Sequence, residues 1–511
     1  MRTKALVLAL IPSLALIPGL AQAQETPLSA IDWLSQSLAT PVVQPVTPEP
    51  PVTPQTEEGV STQTLGAPST DGLGLLTPLT TGFPQALWGA ARLEDIGALL
   101  ADRGPDLPAV EALLISLLLA EADPPMGIPR GESLFLMRVD TLMDRGALDQ
   151  ARALLDTAGA TRSPEIFRRY FDVTLLIGDE DRACKALASA PGLSPALPTR
   201  IFCLARAGDF ATAELTLDTA RALGNVTAEE AVLLARFMNP DLDEDAVSPL
   251  MPEPVTPLIF RMYQAIGEPL PDTSLPLAFT YADLDASAGW KAQLDAAERL
   301  SRLGVVAPNL LLGLYTQEKP AASGGVWDRA AAVQALEAAL AARDPRLVMR
   351  ALPPAWALMR QAELEVPFAT IYAPDLAGMA LTGESAAAAR DILLLSPDAP
   401  KLTVGLTSAD PAGAFRLALA QGALAGVTPV DDTSAAIARA FTAPEVPLQI
   451  QALIDQGRVG EALLTALPLI RAGASGENHA LAEGLSVLVR LGQVEPARRA
   501  ALQVLLLDRR G

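Results

Sequence analysis

The sequence predicts an all-α protein: a solenoid of helical hairpins preceded by a disordered Pro-rich linker. Three observations carry this. Half of the 511 residues are hydrophobic but only 4% are aromatic, so the core must be mainly Leu, Ala and Val. Ala and Leu are the best helix formers, whereas a β-rich chain of this size needs more aromatic and β-branched residues. Units of two helical patterns joined at a glycine recur along the chain, and a Pro/Thr-rich stretch that cannot build a core lies ahead of them.

Residues 1–23 read as a secretory signal peptide. Arg2 and Lys4 precede the apolar run Ala5–Ile17, Pro18-Gly19 breaks it, and Ala21-Gln22-Ala23 forms an A-x-A site with cleavage expected after Ala23. The apolar run is shorter than the ~20 residues a spanning helix needs, and the expected destination is a bacterial periplasm. No later stretch reads as a membrane span. Residues 24–39 hold a short amphipathic segment in which Leu28, Ile31, Leu34 and Leu38 share a helical face beside Trp33. Ile31, Trp33 and Leu34 are candidate anchors for a partner's groove; the competing reading packs the segment on its own domain. Residues 40–84 are the linker, exemplified by Pro45-Val-Thr-Pro-Glu-Pro-Pro-Val-Thr-Pro54.

N-terminal helical repeats are expected over 85–239. Their turns fall at Gly146, Gly178 and Gly208, and five residues after each stands Ala151, Ala183 or Ala213. Leu142, Thr174 and Leu204 stand four before each glycine. A small residue after the turn lets paired helices cross closely. In the best-formed unit, Thr199 to Gly224, Gly208 suits a helix C-terminus and Asp209 the next N-cap. Residues 240–276 form a Pro-rich break around a short helical piece, Ile259 to Ile266. C-terminal helical repeats are expected over 277–511, with the motif returning at Gly457/Ala462 and Gly492/Ala497. One interrupted solenoid and two separate helical lobes both fit this pattern.

Over Glu132 to Gly224 the chain resembles the tetratricopeptide-repeat family. Gly208-Asp-Phe-x-x-Ala213 matches that family's inter-helix turn, and Pro195 falls where its second helix usually ends. The family's Trp and its Leu-Gly pair are absent from the first helices, and Ile201 stands where a small residue is usual. The resemblance implies that the first helix of each hairpin lines a concave side. Asp140, Asp144, Arg168, Asp172, Phe202 and Arg206 would then face inward as an ionic stripe with one aromatic anchor, suited to a peptide or protein terminus. The competing reading makes them solvating residues of helix faces.

Chemistry is sparse. A net charge of −21 argues against a general nucleic-acid binder. One histidine and two cysteines leave little for His- or Cys-rich metal sites or nucleophilic triads. No metal or cofactor is expected, and the chain is read as a non-enzyme. Cys184 opens one hairpin's second helix and Cys203 ends the next hairpin's first, so antiparallel neighbours permit a disulfide, the alternative being two buried thiols. Asp241-Leu-Asp-Glu-Asp245 alternates acids as calcium loops do, but has Ala246 and Pro252 where such a loop needs glycine and a bidentate glutamate. Glu132-Ser-Leu-Phe135 resembles the short signature around the catalytic acid of lytic transglycosylases, without that family's downstream segments. His479 reads as a surface residue. The function expected is a periplasmic scaffold or adaptor binding an envelope protein or peptide, the alternative being a glycan-binding or glycan-cleaving cell-wall protein.

Overall fold

In a computed structural model, residues 69–507 are described, apart from 103, 105–106, 128–130, 195, 240–253 and 272–273. The signal peptide, the Ile31/Trp33/Leu34 segment, Pro195 and the acidic Asp241–Asp245 loop lie outside them. Among the described residues there is no strand, only an isolated bridge between Leu76 and Ala120. Nor is any helix there long and apolar enough to cross a membrane.

The chain begins with α1 (Pro78–Thr81), α2 (Leu93–Leu100) and α3 (Pro108–Leu119). Three hairpins follow: α4 (Ser133–Asp144) with α5 (Leu148–Ala158), α6 (Pro164–Ile177) with α7 (Glu180–Ser189), and α8 (Leu197–Arg206) with α9 (Phe210–Ala222). Next come α10 (Ala228–Met238), α11 (Pro257–Ala265) and a 3-10 segment, Leu277–Leu284. A middle block holds α12 (Trp290–Ser301), α13 (Pro308–Gln317), α14 (Val326–Ala341), α15 (Pro345–Gln361), α16 (Glu365–Leu376) and α17 (Gly383–Leu395). The last helices are α18 (Ala399–Leu402), α19 (Pro411–Gln421), α20 (Asp432–Thr442), α21 (Leu448–Asp455), α22 (Val459–Ala474), α23 (Asn478–Arg490) and α24 (Val494–Leu506).

The hairpin turns share one construction. Gly146, Gly178, Gly208, Gly457 and Gly492 are all left-handed, with φ of 71, 78, 80, 71 and 79°. After each glycine, the next N–H donates to the carbonyl four residues before the glycine: Leu142 (2.9 Å), Thr174 (2.8 Å), Leu204 (3.0 Å), Leu453 (2.9 Å) and Leu488 (2.8 Å). This bond satisfies a carbonyl that the helix end leaves open, and only glycine takes the required φ without steric cost. The alanine five residues on is fully buried in every case, at Ala151, Ala183, Ala213, Ala462 and Ala497. Asp209 caps α9, accepting from the Thr212 N–H at 3.3 Å.

The hairpins do not simply continue as a stack. The expected break at 240–276 contains α11, whose Leu258, Ile259, Phe260, Met262 and Tyr263 are buried, and this helix returns to pack on α6. The Leu277–Leu284 segment packs on α4 and α6, with the Tyr281 hydroxyl donating to Asp149. The Pro-rich stretch thus supplies a covering layer for the first hairpins. Apolar burial is organised in two clusters that do not divide at that break. One draws on Phe83–Val306 together with Leu394–Leu502; the other lies within Trp290–Leu395.

The ends of the described chain meet. α24 packs on α3, and α22 on α2 and α3. The Gly460 N–H donates to the Leu87 carbonyl at 2.7 Å, and a Cβ at Gly460 would lie 2.6 Å from the Trp88 ring. Between these elements sits a buried ion cluster. Glu111 of α3 accepts from Arg145 at 2.7 Å and from Arg471 of α22 at 3.2 Å, while Arg471 also meets Asp102 at 2.9 Å. The side chains of Glu111, Arg145 and Arg471 are 0, 7 and 4% exposed.

The linker expected over 40–84 ends sooner than composition indicated, because Thr70, Asp71 and Phe83 are buried and Leu73 and Leu76 pack on the core. Arg138, buried in α4, donates to the carbonyls of Leu73 (2.7 Å), Asp71 (3.3 Å), Leu118 (2.7 Å) and Ala120 (2.9 Å). It thereby supplies donors for backbone that neither helix nor sheet would satisfy. Burial pulls its pKa down to about 10.

Replacing Glu111 by Met leaves two buried arginines without their shared carboxylate. Unfolding in urea should show a loss of about 3–5 kcal/mol; a loss below about 1 kcal/mol contradicts the role given to this cluster.

Candidate binding groove

An apolar cleft of about 510 Å³ lies between α7 and α8. Its position follows from the second and third hairpins. α7 presents Leu187, Ala188 and Cys184, while α8 presents Leu204 and Cys203, with Ala207 just past its C-terminus. The two sulfurs are joined as a disulfide with Cα atoms 5.1 Å apart, which ties the helices together within the groove wall.

The rim is mainly basic. Arg200 is spent on backbone, donating to the carbonyls of Ser194 at 2.7 Å and Pro191 at 2.6 Å. Arg206 lies 2.7 Å from Asp181 and 3.4 Å from Glu180. Lys185 is exposed and has neither a hydrogen bond nor an ion pair among the described residues, so its charge is open to a ligand. Sequence reasoning missed Lys185 and Arg200. Their only signal was position, each within a turn of a cysteine on the same helix.

The six residues expected to line one concave stripe are distributed differently. Asp140 and Asp144 line a second cleft of about 490 Å³ with Gly97, Met137 and Arg169. Asp140 there holds Arg169 through two bonds of 2.6 Å. Arg168 is exposed, 3.6 Å from Glu165. Only Arg206 reaches the α7–α8 groove. Phe202 is corrected outright: it is 2% exposed and packs with Phe171 and Phe237 at centroid distances of 6.1 and 5.0 Å. An apolar ring on the helix face that meets the next hairpin belongs to the core, so it cannot anchor a ligand.

Asp172 is partly covered, and burial raises its carboxyl to about 7 despite the nearby Arg168 and Arg169, with Asp140 pushing the same way as burial. Glu132 accepts from the Ser163 hydroxyl at 3.0 and 2.9 Å, and Ser163 in turn caps α6 by accepting from the Ile166 N–H. The Glu132 carboxylate is thus occupied in holding the start of α6. His479 is 89% exposed, with Glu483 at 3.9 Å. Among the described residues no group of three His, Cys, Asp or Glu could hold a metal.

Comparison with family models, with curated proteins and with solved structures returns no match. The class defined by the structure is therefore the coarse one: an all-α protein with recurrent glycine-turned helical hairpins.

Asp172 gives a pH signature. Its folded pKa of about 7 lies above the ordinary value of 3.8, so the fold favours the protonated acid. Its contribution to stability is full below that ordinary value and is lost as pH rises through 7. Asp172→Asn should melt higher than the parent at pH 8, by the equivalent of up to about 4 kcal/mol, and show little gain at pH 4. Equal melting at both pH values counts against the assignment.

Proposed function

We propose that the chain is a secreted helical-repeat adaptor of the bacterial periplasm, with hairpins of tetratricopeptide type, that binds a protein or peptide partner in the cell envelope. The α7–α8 groove carries this reading. It offers an apolar floor with an uncommitted lysine at its rim, on a chain whose net charge is −21. Amphipathic helices and extended peptides bind such clefts through apolar anchors, while a rim charge selects among partners and speeds encounter.

The paired cysteines support an oxidising compartment, where disulfides persist. The basic start, apolar run and A-x-A site of residues 1–23 support the same destination. The amphipathic Leu28–Leu38 segment supplies a second attachment point through Ile31, Trp33 and Leu34. The activity proposed is binding, with no catalytic step.

A photocrosslinking residue at Ala188, inside the groove, tests this in an envelope fraction. A discrete adduct is expected there and none from the same residue placed at His479. Lys185→Glu should weaken the Ala188 adduct, and deleting Leu28–Leu38 should reduce partner recovery. Identical patterns from Ala188 and His479 would sink the groove as the binding surface.

A further inference from the structure

A cleft of about 540 Å³ lies where the two ends of the described chain meet, bounded by Leu79–Phe83, α3 and the start of α24. This falls within the volume range of small-molecule sites. Its walls combine apolar Leu79, Phe83, Leu113 and Pro496 with one guanidinium, that of Arg499.

Other polar side chains lining the cleft are already engaged. Gln493 donates to the Thr81 carbonyl at 3.1 Å, the Thr81 hydroxyl to the Thr77 carbonyl at 3.3 Å, and Ser116 to the Ala112 carbonyl at 2.8 Å. Glu495, one turn before Arg499, is taken by Arg498. Arg499 itself makes no hydrogen bond or ion pair among the described residues and is only partly exposed. Burial lowers its pKa, against the opposing pull of Glu495. Arg138, whose pKa burial also lowers, is by contrast saturated with carbonyl partners. A partly buried guanidinium with open donors, set in an apolar cleft, is a site for an anion with an apolar body.

We propose that this cleft binds a small amphipathic carboxylate, its carboxylate bidentate on Arg499 and its apolar body over Leu79, Phe83 and Leu113. The site is separate from the α7–α8 groove and stands or falls independently of it. A ligand there touches both the first and the last described helices, so binding stabilises their contact. Two sources share the chemistry: a free short-chain acid, and the C-terminal carboxylate of a peptide ending in an apolar residue.

Thermal melts and calorimetric titration of the mature chain at constant ionic strength distinguish them. The probes are octanoate against octanamide, and a short peptide ending in Leu as its free acid against its amide. At least one acid should raise the melting temperature while its amide does not. Response to octanoate identifies a free acid as sufficient; response to the peptide acid alone identifies a peptide terminus. Arg499→Gln should weaken acid binding about tenfold or more, and Arg499→Lys should retain part of it. Arg490→Gln, at an exposed position on α23, should leave it unchanged. The apo Arg499→Gln protein should melt no lower than the parent, since it loses an unpaired charge. Acid and amide acting alike, neither acid binding, or undiminished binding in Arg499→Gln overturns the site.

Discussion

Among the described residues, the first helices close against the last, and the rest of the helical body is arranged around that junction. A row of helical hairpins ordinarily ends in two apolar faces that need polar capping. Here α22 and α24 cover α2 and α3 instead, and the Glu111–Arg145–Arg471 cluster lies in that junction. Buried charges are weak evidence for stability, but removing one partner strands the others, so the junction depends on all three being in place. Close approach constrains the same junction without charge. Gly89, at φ 48°, lies so near Gly457 that a Cβ there would be 2.3 Å from its carbonyl oxygen, and the Trp88 ring fills the space a side chain at Gly460 would need.

Local rules produce the hairpins, and these were legible in the sequence. A glycine that must be left-handed, an alanine at the helix crossing and a carbonyl four residues before the turn recur at Gly146, Gly178, Gly208, Gly457 and Gly492. All of these features lie within about one hairpin of sequence, where period and turn chemistry speak directly. The repeated pattern also explains how two cysteines 19 residues apart come together. One opens α7 and the other ends α8, and antiparallel packing brings those ends to the same level.

What was not legible depends on distant contacts. Residues 69–83 read as linker by composition, yet Arg138 gathers their carbonyls from 65 and 67 residues away. Prolines around α11 marked a break, but the side chains between them are apolar enough to form a lid on α6. Phe202 failed for a related reason. The family resemblance placed it on an inward face, and that face is filled by Phe171 and Phe237 rather than open. Of the expected stripe, Asp140, Asp144, Arg168 and Arg206 stayed exposed and the aromatic went to the core, as their solvation costs require, while Asp172 became partly covered and its carboxyl is raised for that reason.

The same division separates the two clefts that matter for binding. The α7–α8 groove is a product of local architecture: its walls are consecutive helices, and the Cys184–Cys203 bond holds their spacing before any ligand arrives. Pre-organised walls lower the ordering cost of association, so a modest apolar area can support a useful affinity. The Arg499 cleft exists only because the first and last described helices meet, since its walls come from both. Occupancy of a cleft built across a closure is coupled to that closure. A ligand binding there necessarily favours the closed arrangement, whereas a ligand in the α7–α8 groove acts on a surface whose geometry is already held by a covalent bond.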